Sequence, residues 1–132
     1  MDDYAAAEEK DLGWNKYDCK LEIMVIIENI ENSLTNLKHW MKDHQLDAPL
    51  SCAPSWNRIH YDPLGVVLII SAWNYPVFTM FEPLVSAIAA GNLAVLKPSE
   101  VSPSSSAAIR KMIETWMDKR YFRVLEGGAE VG

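Results

Sequence analysis

The 132-residue sequence has few cysteines, no long apolar run and no excess of basic residues. It contains 2 Cys and 3 His, and 12 Lys and Arg against 18 Asp and Glu give a formal net charge of −6. This charge gives no basic surface for nucleic acid, and the histidines and cysteines lack zinc-site spacing. The first residues show no secretory signal, and no apolar run is long enough to span a membrane. These features predict one cytoplasmic globular domain without a metal.

Two short apolar runs joined by a helical pattern lie at the centre of the sequence. Gly65 to Ile70 is an unbroken aliphatic run, typical of a strand buried on both faces of a parallel sheet. Leu93 to Leu96 is a second such run. Between them, Val77 to Ala90 repeats apolar residues at helical spacing, with Pro76 suited to the first position and Gly91 to the C-terminal cap. The lengths predict a right-handed βαβ crossover.

The sequence beyond this unit continues the same alternation. Ser102 and Pro103 suit a helix start, and Phe122 to Leu125 is a third apolar run. The predicted order is an N-terminal helix followed by β-α-β-α-β, an α/β fold that is half of a Rossmann-like doubly wound parallel sheet. We assign residues 61–132 to a partial nucleotide-binding domain and residues 1–60 to an N-terminal helical segment with a connecting loop.

A long helix is predicted ahead of the sheet. From Leu21 onwards, apolar residues recur at steps of three and four and form a stripe along one face: Ile23, Ile27, Ile30, Leu34, Leu37 and Met41. The stripe fits a coiled-coil seam or a helix packed on a body, and the lack of flanking charge pairs favours packing. Asp11 to Lys20 is interpreted as a loop or frayed helix, Asp43 to Trp56 as a connecting loop, and Arg58 to Tyr61 as a short strand.

Polar residues follow both central strands, where the carboxyl ends of parallel strands bind ligands in open α/β sheets. Trp73 and Asn74 follow the first strand, and Lys97 and Glu100 follow the second. Lys97 and Glu100 suit a ribose or phosphate, or else form an ordinary solvated turn. Asn74 is either a donor at a ligand or a cap for the next helix, and Trp73 is a ligand neighbour or a packing residue. The residues alone leave these alternatives open.

Two strings resemble the aldehyde dehydrogenase superfamily, and within it the class 3 or fatty-aldehyde type. They are GVVLIISAWNYP and AIAAGNLAVLKPSEVSP, which carry the WNYP turn, the AGN helix end and the LKPSE strand end in family order. The similarity covers Tyr61 to Gly128 and, more loosely, Leu21 to Lys42. It implies an N-terminal part of an enzyme that oxidises an aldehyde to a carboxylic acid with NAD or NADP. Full-length members of this type are expected to be homodimers.

The resemblance also implies roles for individual residues. Asn74 matches the asparagine whose amide helps form the oxyanion hole, where it stabilises the oxygen that becomes negative when a thiolate adds to the aldehyde. Lys97 and Glu100 match the pair that holds the adenosine ribose; the carboxylate favours NAD, and the cation tolerates the extra phosphate of NADP. Trp73 is expected beside the cofactor, mainly through its backbone, and Gly128 near the adenine side.

Neither Cys19 nor Cys52 is expected to be the nucleophile of such an enzyme. The family's catalytic cysteine lies far beyond the WNYP turn, and both of these residues precede that turn. The activating glutamate and the helix start that takes the pyrophosphate also lie outside this sequence, so the chain alone is expected to be inactive. The alternatives are a noncatalytic nucleotide- or partner-binding module, a truncated relic without function, and a part of an acylating reductase of the same fold.

Overall fold

The computed structural model describes residues 2–131 as helices and short strands in an α/β arrangement. The helices are α1 (Asp2–Leu12), α2 (Lys16–Trp40), α3 (Pro76–Ala89) and α4 (Pro103–Trp116), with a 3₁₀ helix at Leu50–Cys52. The strands are β1 (His44–Leu46), β2 (Asn57–Ile59), β3 (Val66–Ile70), β4 (Leu93–Lys97) and β5 (Phe122–Val124). In the described residues, no helix combines the length and apolarity needed to cross a membrane.

The central sheet has three parallel strands in the order β3-β4-β5. Val66 pairs with Leu93 and Ile70 with Lys97, so β3 and β4 run in register over their whole length. Helix α3 ends at Ala89 with Ala90 as its C-cap, and Gly91 follows with a φ of 78°, the left-handed conformation that glycine adopts easily after a helix. The predicted β-α-β-α-β order and the glycine cap are therefore confirmed.

The core lies between the sheet and its helices. Ile69 of β3 and Leu96 of β4 are buried against Met80 and Leu84 of α3 and Ile109 of α4. These residues lie on one face of the sheet, because successive strand residues point to opposite faces.

The other face of β3 is exposed, which corrects the expectation that this strand is buried on both faces. Val66, Leu68 and Ile70 are 64%, 55% and 61% exposed, whereas Ile69 is 8% exposed. The physical reason is that α3 and α4 cover one face of the sheet, while the aliphatic run supplies apolar residues to both.

The N-terminal region contains two helices where one was predicted. The expectation of a loop or frayed helix for Asp11 to Lys20 was wrong, because Asn15 begins α2 with a capping box. Asn15 Oδ1 accepts from Tyr17 N at 2.8 Å and from Asp18 N at 3.2 Å, and Asp18 Oδ2 accepts from Asn15 N at 3.3 Å. An asparagine followed three residues later by an acidic residue is a readable helix start.

The predicted apolar stripe on α2 faces the body of the protein only in part, because Ile23 packs against the core and Leu37 is half-buried. Ile27, Leu34 and Met41 are exposed, whereas Cys19, Glu22 and Ile26 are the buried residues of this helix. A neighbouring helix face, which includes two residues that can hydrogen bond, packs on α1 and α3. Burial on this helix therefore follows tertiary contacts and not the apolar pattern alone.

A small antiparallel sheet lies between α2 and β3. Strand β1 pairs with β2, so the segment Asp43 to Trp56 is not entirely a loop, and the strand predicted at Arg58 to Tyr61 begins and ends slightly earlier. Asp43 joins the two strands, because its carboxylate lies 2.9 Å from Arg58 Nη1 and 2.6 Å from His60 Nδ1.

We predict that Leu96→Ala lowers the free energy of unfolding by about 2–5 kcal/mol, because it leaves a cavity at a fully buried position. Urea unfolding followed by circular dichroism measures the loss. Leu64→Ala is the matched control: Leu64 is 87% exposed, and its truncation should change the free energy by less than about 0.5 kcal/mol. Equal losses in the two variants would contradict the described core.

Candidate functional site

The candidate site lies at the carboxyl edge of β3 and β4, where two polar turns are adjacent. Ser71, directly after β3, donates its backbone N–H to the carbonyl of Lys97 at the end of β4, at 3.0 Å. This hydrogen bond extends the ladder by one residue and places the turn that contains Trp73 and Asn74 beside the turn that contains Lys97 and Glu100. The predicted meeting of the two turns at one sheet edge is therefore present.

The turn after β3 is closed by two hydroxyl groups. Ser71 Oγ lies 2.8 Å from Thr79 Oγ1 and 3.2 Å from the carbonyl oxygen of Pro76. Thr79 Oγ1 lies 2.8 Å from the carbonyl oxygen of Tyr75. Thr79 was not among the predicted site residues, although a threonine in the first turn of a helix commonly bonds back to a carbonyl four residues earlier.

The side chain of Asn74 is exposed and has no hydrogen-bond partner among the described residues. The N-cap residue of α3 is Tyr75, and it contributes no side-chain cap. The alternative in which Asn74 caps this helix is therefore wrong. Its amide can donate to a ligand without first breaking a bond within the protein. The neighbouring Trp73 is 51% exposed, so it is not a core residue.

Lys97 and Glu100 form an ion pair that is buried at one end and exposed at the other. The Lys97 side chain is 8% exposed and the Glu100 side chain 51% exposed, with Nζ 3.2 Å from Oε2. A hydrogen bond from the backbone N–H of Glu100, and then Lys97, holds the pKa of the Glu100 carboxyl below its usual range. The alternative of an ordinary solvated turn is therefore wrong for Lys97, because its side chain is buried. Glu100 presents a charged acceptor to solvent.

The segment after β5 returns to the same pair. Gly128 N donates to Glu130 Oε1 at 2.8 Å. Hydrogen bonds from the Glu130 and Gly128 N–H groups lower the pKa of Glu130, and the charges of Glu100 and Lys97 also act on it. Glu130, which was not among the predicted site residues, follows β5, whose carboxyl end lies at the same sheet edge as that of β4, and its carboxyl interacts electrostatically with the pair. No local pattern in the sequence indicates this approach.

The thiols lie in contrasting environments. Cys19 is fully buried, and its Sγ lies 3.3 Å from the carbonyl oxygen of Asn15. Burial, and then the Glu8 carboxyl, raises the pKa of Cys19 to about 12, which keeps the thiol protonated and unreactive. Cys52 is free and exposed. Within residues 2–131, no group of three or more His, Cys, Asp or Glu side chains is arranged to hold a metal ion.

Behind the site, Tyr4, Glu8 and Glu22 are buried between α1, α2 and the start of α3. Tyr4 Oη contacts Glu8 Oε1 and lies 3.0 Å from Glu22 Oε2. Burial, and then the Glu8 carboxyl, raises the pKa of Glu22 to about 8. The single phenol hydrogen of Tyr4 can be donated to only one of the two carboxyl groups. A proton on Glu22 supplies a second hydrogen for the contacts among these three side chains. None of these three residues was predicted to be buried, because no local sequence pattern indicates that an acidic residue is buried.

The three-stranded parallel sheet and its polar edge define an α/β fold, and comparison with known proteins identifies the family. Residues 1–132 match the Aldehyde dehydrogenase family. The Staphylococcus aureus 4,4'-diaponeurosporen-aldehyde dehydrogenase is 42% identical over 121 residues, which are 91% of this chain and 26% of that protein. Aldehyde dehydrogenase family 3 member H1 of Arabidopsis thaliana is 42% identical over 123 residues, 92% of this chain and 25% of that protein.

A solved structure agrees with these matches. The substrate-bound state of Staphylococcus aureus AldH has a TM-score of 0.93 and 40% identity, and the match covers 98% of this chain and 28% of that one. The chain belongs to the aldehyde dehydrogenase family, an oxidoreductase family whose members include the class 3 type. It spans about a quarter of the length of the curated relatives it matches.

We predict that Lys97→Met raises the pKa of the Glu100 carboxyl, because it removes both a hydrogen bond and a positive charge. The backbone N–H of Glu100, the largest cause of the lowering, remains in the variant. The pKa should therefore stay below its ordinary value. A carbon-detected NMR titration of the carboxyl groups measures the shift. Lys111→Met is the control, since Lys111 pairs with Asp3. An unchanged Glu100 pKa in Lys97→Met would refute the ion pair.

A second prediction concerns pH. The folded protein keeps a proton on Glu22 up to about pH 8, whereas the unfolded chain releases it near its ordinary pKa of 4.5. The stabilisation from this proton is complete below 4.5 and is lost as pH rises through 8. The free energy of unfolding should therefore fall by at least about 1 kcal/mol between pH 5 and 8, and Glu22→Gln should remove this decrease.

The measurement is urea unfolding of the parent and Glu22→Gln at both pH values. Gln keeps an acceptor oxygen for Phe78 N and adds N–H donors, so it resembles the protonated carboxyl. Glu28→Gln, at an exposed position on the same helix, is the control and should retain the parent's pH dependence. A steep dependence that persists in Glu22→Gln argues that another group is responsible.

Proposed function

We propose that this chain is the N-terminal part of an NAD(P)-dependent aldehyde dehydrogenase that oxidises an aldehyde to a carboxylic acid. The observation that carries the proposal is the exposed Asn74 amide, which has no hydrogen-bond partner within residues 2–131, at the same edge of a parallel sheet as the Lys97–Glu100 ion pair. Family membership supports the reaction class. The proposed division is an N-terminal helical segment, residues 1–60, and a partial NAD(P)-binding domain, residues 61–132.

Asn74 is proposed to stabilise the oxyanion. When a thiolate adds to the aldehyde carbon, the electron pair of the carbonyl moves onto oxygen, and an amide N–H aimed at that oxygen lowers the barrier. The amide does not titrate near neutral pH and so remains a donor. The buried Cys19, with its raised pKa, does not suit the thiolate role. We therefore propose that the chain alone does not catalyse the reaction.

Lys97 and Glu100 are proposed to hold the adenosine ribose of NAD or NADP. The fit rests on the donor set, because an exposed charged carboxylate accepts from ribose hydroxyls and the adjacent ammonium balances a phosphate. When bound, the nicotinamide group accepts the hydride. The backbone at Trp73 and the turn at Gly128 are proposed to line the same cofactor. The acceptor favours NAD and the ammonium tolerates NADP, so both cofactors belong to the proposal.

The setting of the whole protein is proposed from the family. We propose a cytoplasmic protein whose longer form is a homodimer and takes an aldehyde as its small-molecule substrate. A noncatalytic nucleotide- or partner-binding module is the second candidate, favoured by the exposed apolar face of β3, a surface suited to a partner chain. The intact mass of the native product, found with peptides from residues 66–97, distinguishes the two. A mass near 14.9 kDa supports the module, and one several times larger supports the enzyme.

We expect the chain to bind dinucleotide through Glu100. Isothermal titration of NAD⁺ and NADP⁺ should show binding that weakens about tenfold or more in Glu100→Gln, because a charge-assisted hydrogen bond is lost. Glu28→Gln is a matched control at an exposed position on α2. In the longer native product, Asn74→Ala should lower kcat by about 10²–10³ while dinucleotide binding is unchanged. The exposed Asn32→Ala should leave kcat unaltered.

These measurements separate the two candidates. Dinucleotide binding without aldehyde oxidation in the native product supports the binding module. If neither NAD⁺ nor NADP⁺ binds the parent, or if Glu100→Gln binds as tightly as the parent, the assignment of the ribose site fails. If kcat is unchanged in Asn74→Ala, the oxyanion role fails.

A further inference from the structure

Helices α3 and α4 both begin without a capping hydrogen bond from their own N-cap side chain. Each has proline at its first position, Pro76 or Pro103, and neither N-cap residue, Tyr75 or Ser102, caps the helix with its side chain. A helix start leaves several backbone N–H groups without partners inside the helix. Both starts are also the points where the candidate turns end, after Asn74 in one case and after Glu100 in the other. The groups that accept hydrogen bonds from these N–H groups therefore help to fix the positions of the turns.

The missing caps come from the N-terminal helices. Glu22 Oε1 accepts from Phe78 N at 3.0 Å, and Asp11 Oδ2 accepts from Ser105 N at 2.7 Å. Phe78 and Ser105 are each the third residue of their helix, the position that an N-cap side chain ordinarily serves. The two carboxyl groups thus make the same contact, each on a different helix and across a long sequence separation.

The acceptors suit this task for an electrostatic reason. A helix N-terminus carries partial positive charge, so an anionic or strongly polar oxygen there is favourable. The acceptor Glu22 is 5% exposed, and the donor residue Ser105 is fully buried, so water has little access to either hydrogen bond. Asp11 lies at the end of α1 and Glu22 in the first turns of α2, on either side of the short α1–α2 junction. One structural unit therefore holds both helix starts.

We propose that Asp11 and Glu22 are positioning residues for the two halves of the candidate site. Glu22 fixes the start of α3 and with it the turn that carries Asn74, and Asp11 fixes the start of α4 and with it the Lys97–Glu100 turn. The role of the two turns rests on the proposed function. The capping itself does not, and it is tested separately.

The test is amide hydrogen exchange by NMR on the full chain. Asp11→Ala should speed exchange at Ser105 by about 5- to 30-fold, the effect of a lost cap, and leave Phe78 within about twofold of the parent. Glu22→Ala should speed exchange at Phe78 by a similar factor and leave Ser105 within about twofold of the parent. General destabilisation would speed exchange at both amides in both variants. That result, or unchanged exchange at the partner amide, would overturn the proposal.

Conservative variants guard against loss of the fold. Asp11→Asn and Glu22→Gln keep an acceptor oxygen at the same reach, so exchange at Ser105 and Phe78 should stay within about threefold of the parent. Replacing a charged acceptor by a neutral one weakens the hydrogen bond. The largest upfield shift among the amide protons should therefore be at Ser105 in Asp11→Asn, and at Phe78 in Glu22→Gln compared above pH 8. Largest shifts elsewhere in the chain would refute the contacts.

Dinucleotide titration of the same variants tests whether capping by Asp11 positions the turn that contains Glu100. Asp11→Ala should weaken binding of NAD⁺ or NADP⁺ about fivefold or more, and Asp11→Asn should restore it, because the turn with Glu100 is held again. Selective exchange effects combined with no dinucleotide binding by the parent would leave the capping intact and reject the proposed function. Selective exchange effects with parent-like binding in Asp11→Ala would reject the positioning role of Asp11.

Discussion

The parallel pairing of β3 with β4 is the interaction on which the site depends. Because the strands run in the same direction and in register from Val66 to Ile70, both end at one edge, and the turns that follow them are neighbours. An antiparallel pair would place Asn74 and Lys97 at opposite edges. The burial of Ile69 and Leu96 under Met80 and Leu84 stabilises this pairing, so the apolar core and the polar edge are two consequences of one arrangement.

Buried and exposed polar groups have different roles in this fold. The buried carboxyls of Glu8 and Glu22 belong to the scaffold, since they contact Tyr4 and, through Glu22, a helix start. One oxygen of Glu8 is buried with no partner among the described residues, an arrangement that costs stability. Asn74 and Glu100, by contrast, are open to solvent, where a ligand can reach them. Lys97 is the exception, a buried cation that orients an exposed carboxylate.

The same environment explains why the cysteine in the core is inert. A thiol is a nucleophile only as its thiolate, and burial beside the Glu8 carboxyl opposes loss of the proton. The buried acids that support the start of α3 therefore also suppress reactivity at Cys19. A structure-based reason thus joins the sequence-based argument that the nucleophile of such an enzyme is not this cysteine.

The β-α-β-α-β order, the glycine end of α3 and the two polar turns could be predicted from the sequence. They depend on local preferences: aliphatic runs, proline and glycine positions, and residues that follow strands. The sequence also carried the family resemblance, which the comparisons confirm. It did not indicate which face of α2 is buried, because the apolar stripe competes with a face that contains Cys19 and Glu22. Nor did it indicate the exposed face of β3.

The contacts between distant residues could not be predicted from the sequence, because they depend on how the helices pack in three dimensions. The capping of α3 by Glu22 and of α4 by Asp11 joins segments far apart in sequence, and the approach of Glu130 to Lys97 depends on how the chain turns after β5. The sequence around a carboxylate does not indicate which amide it will contact, since helix packing determines that partner. The residue type of Asn74 left both a cap and a ligand donor open, and the position of Tyr75 as the N-cap excluded the cap.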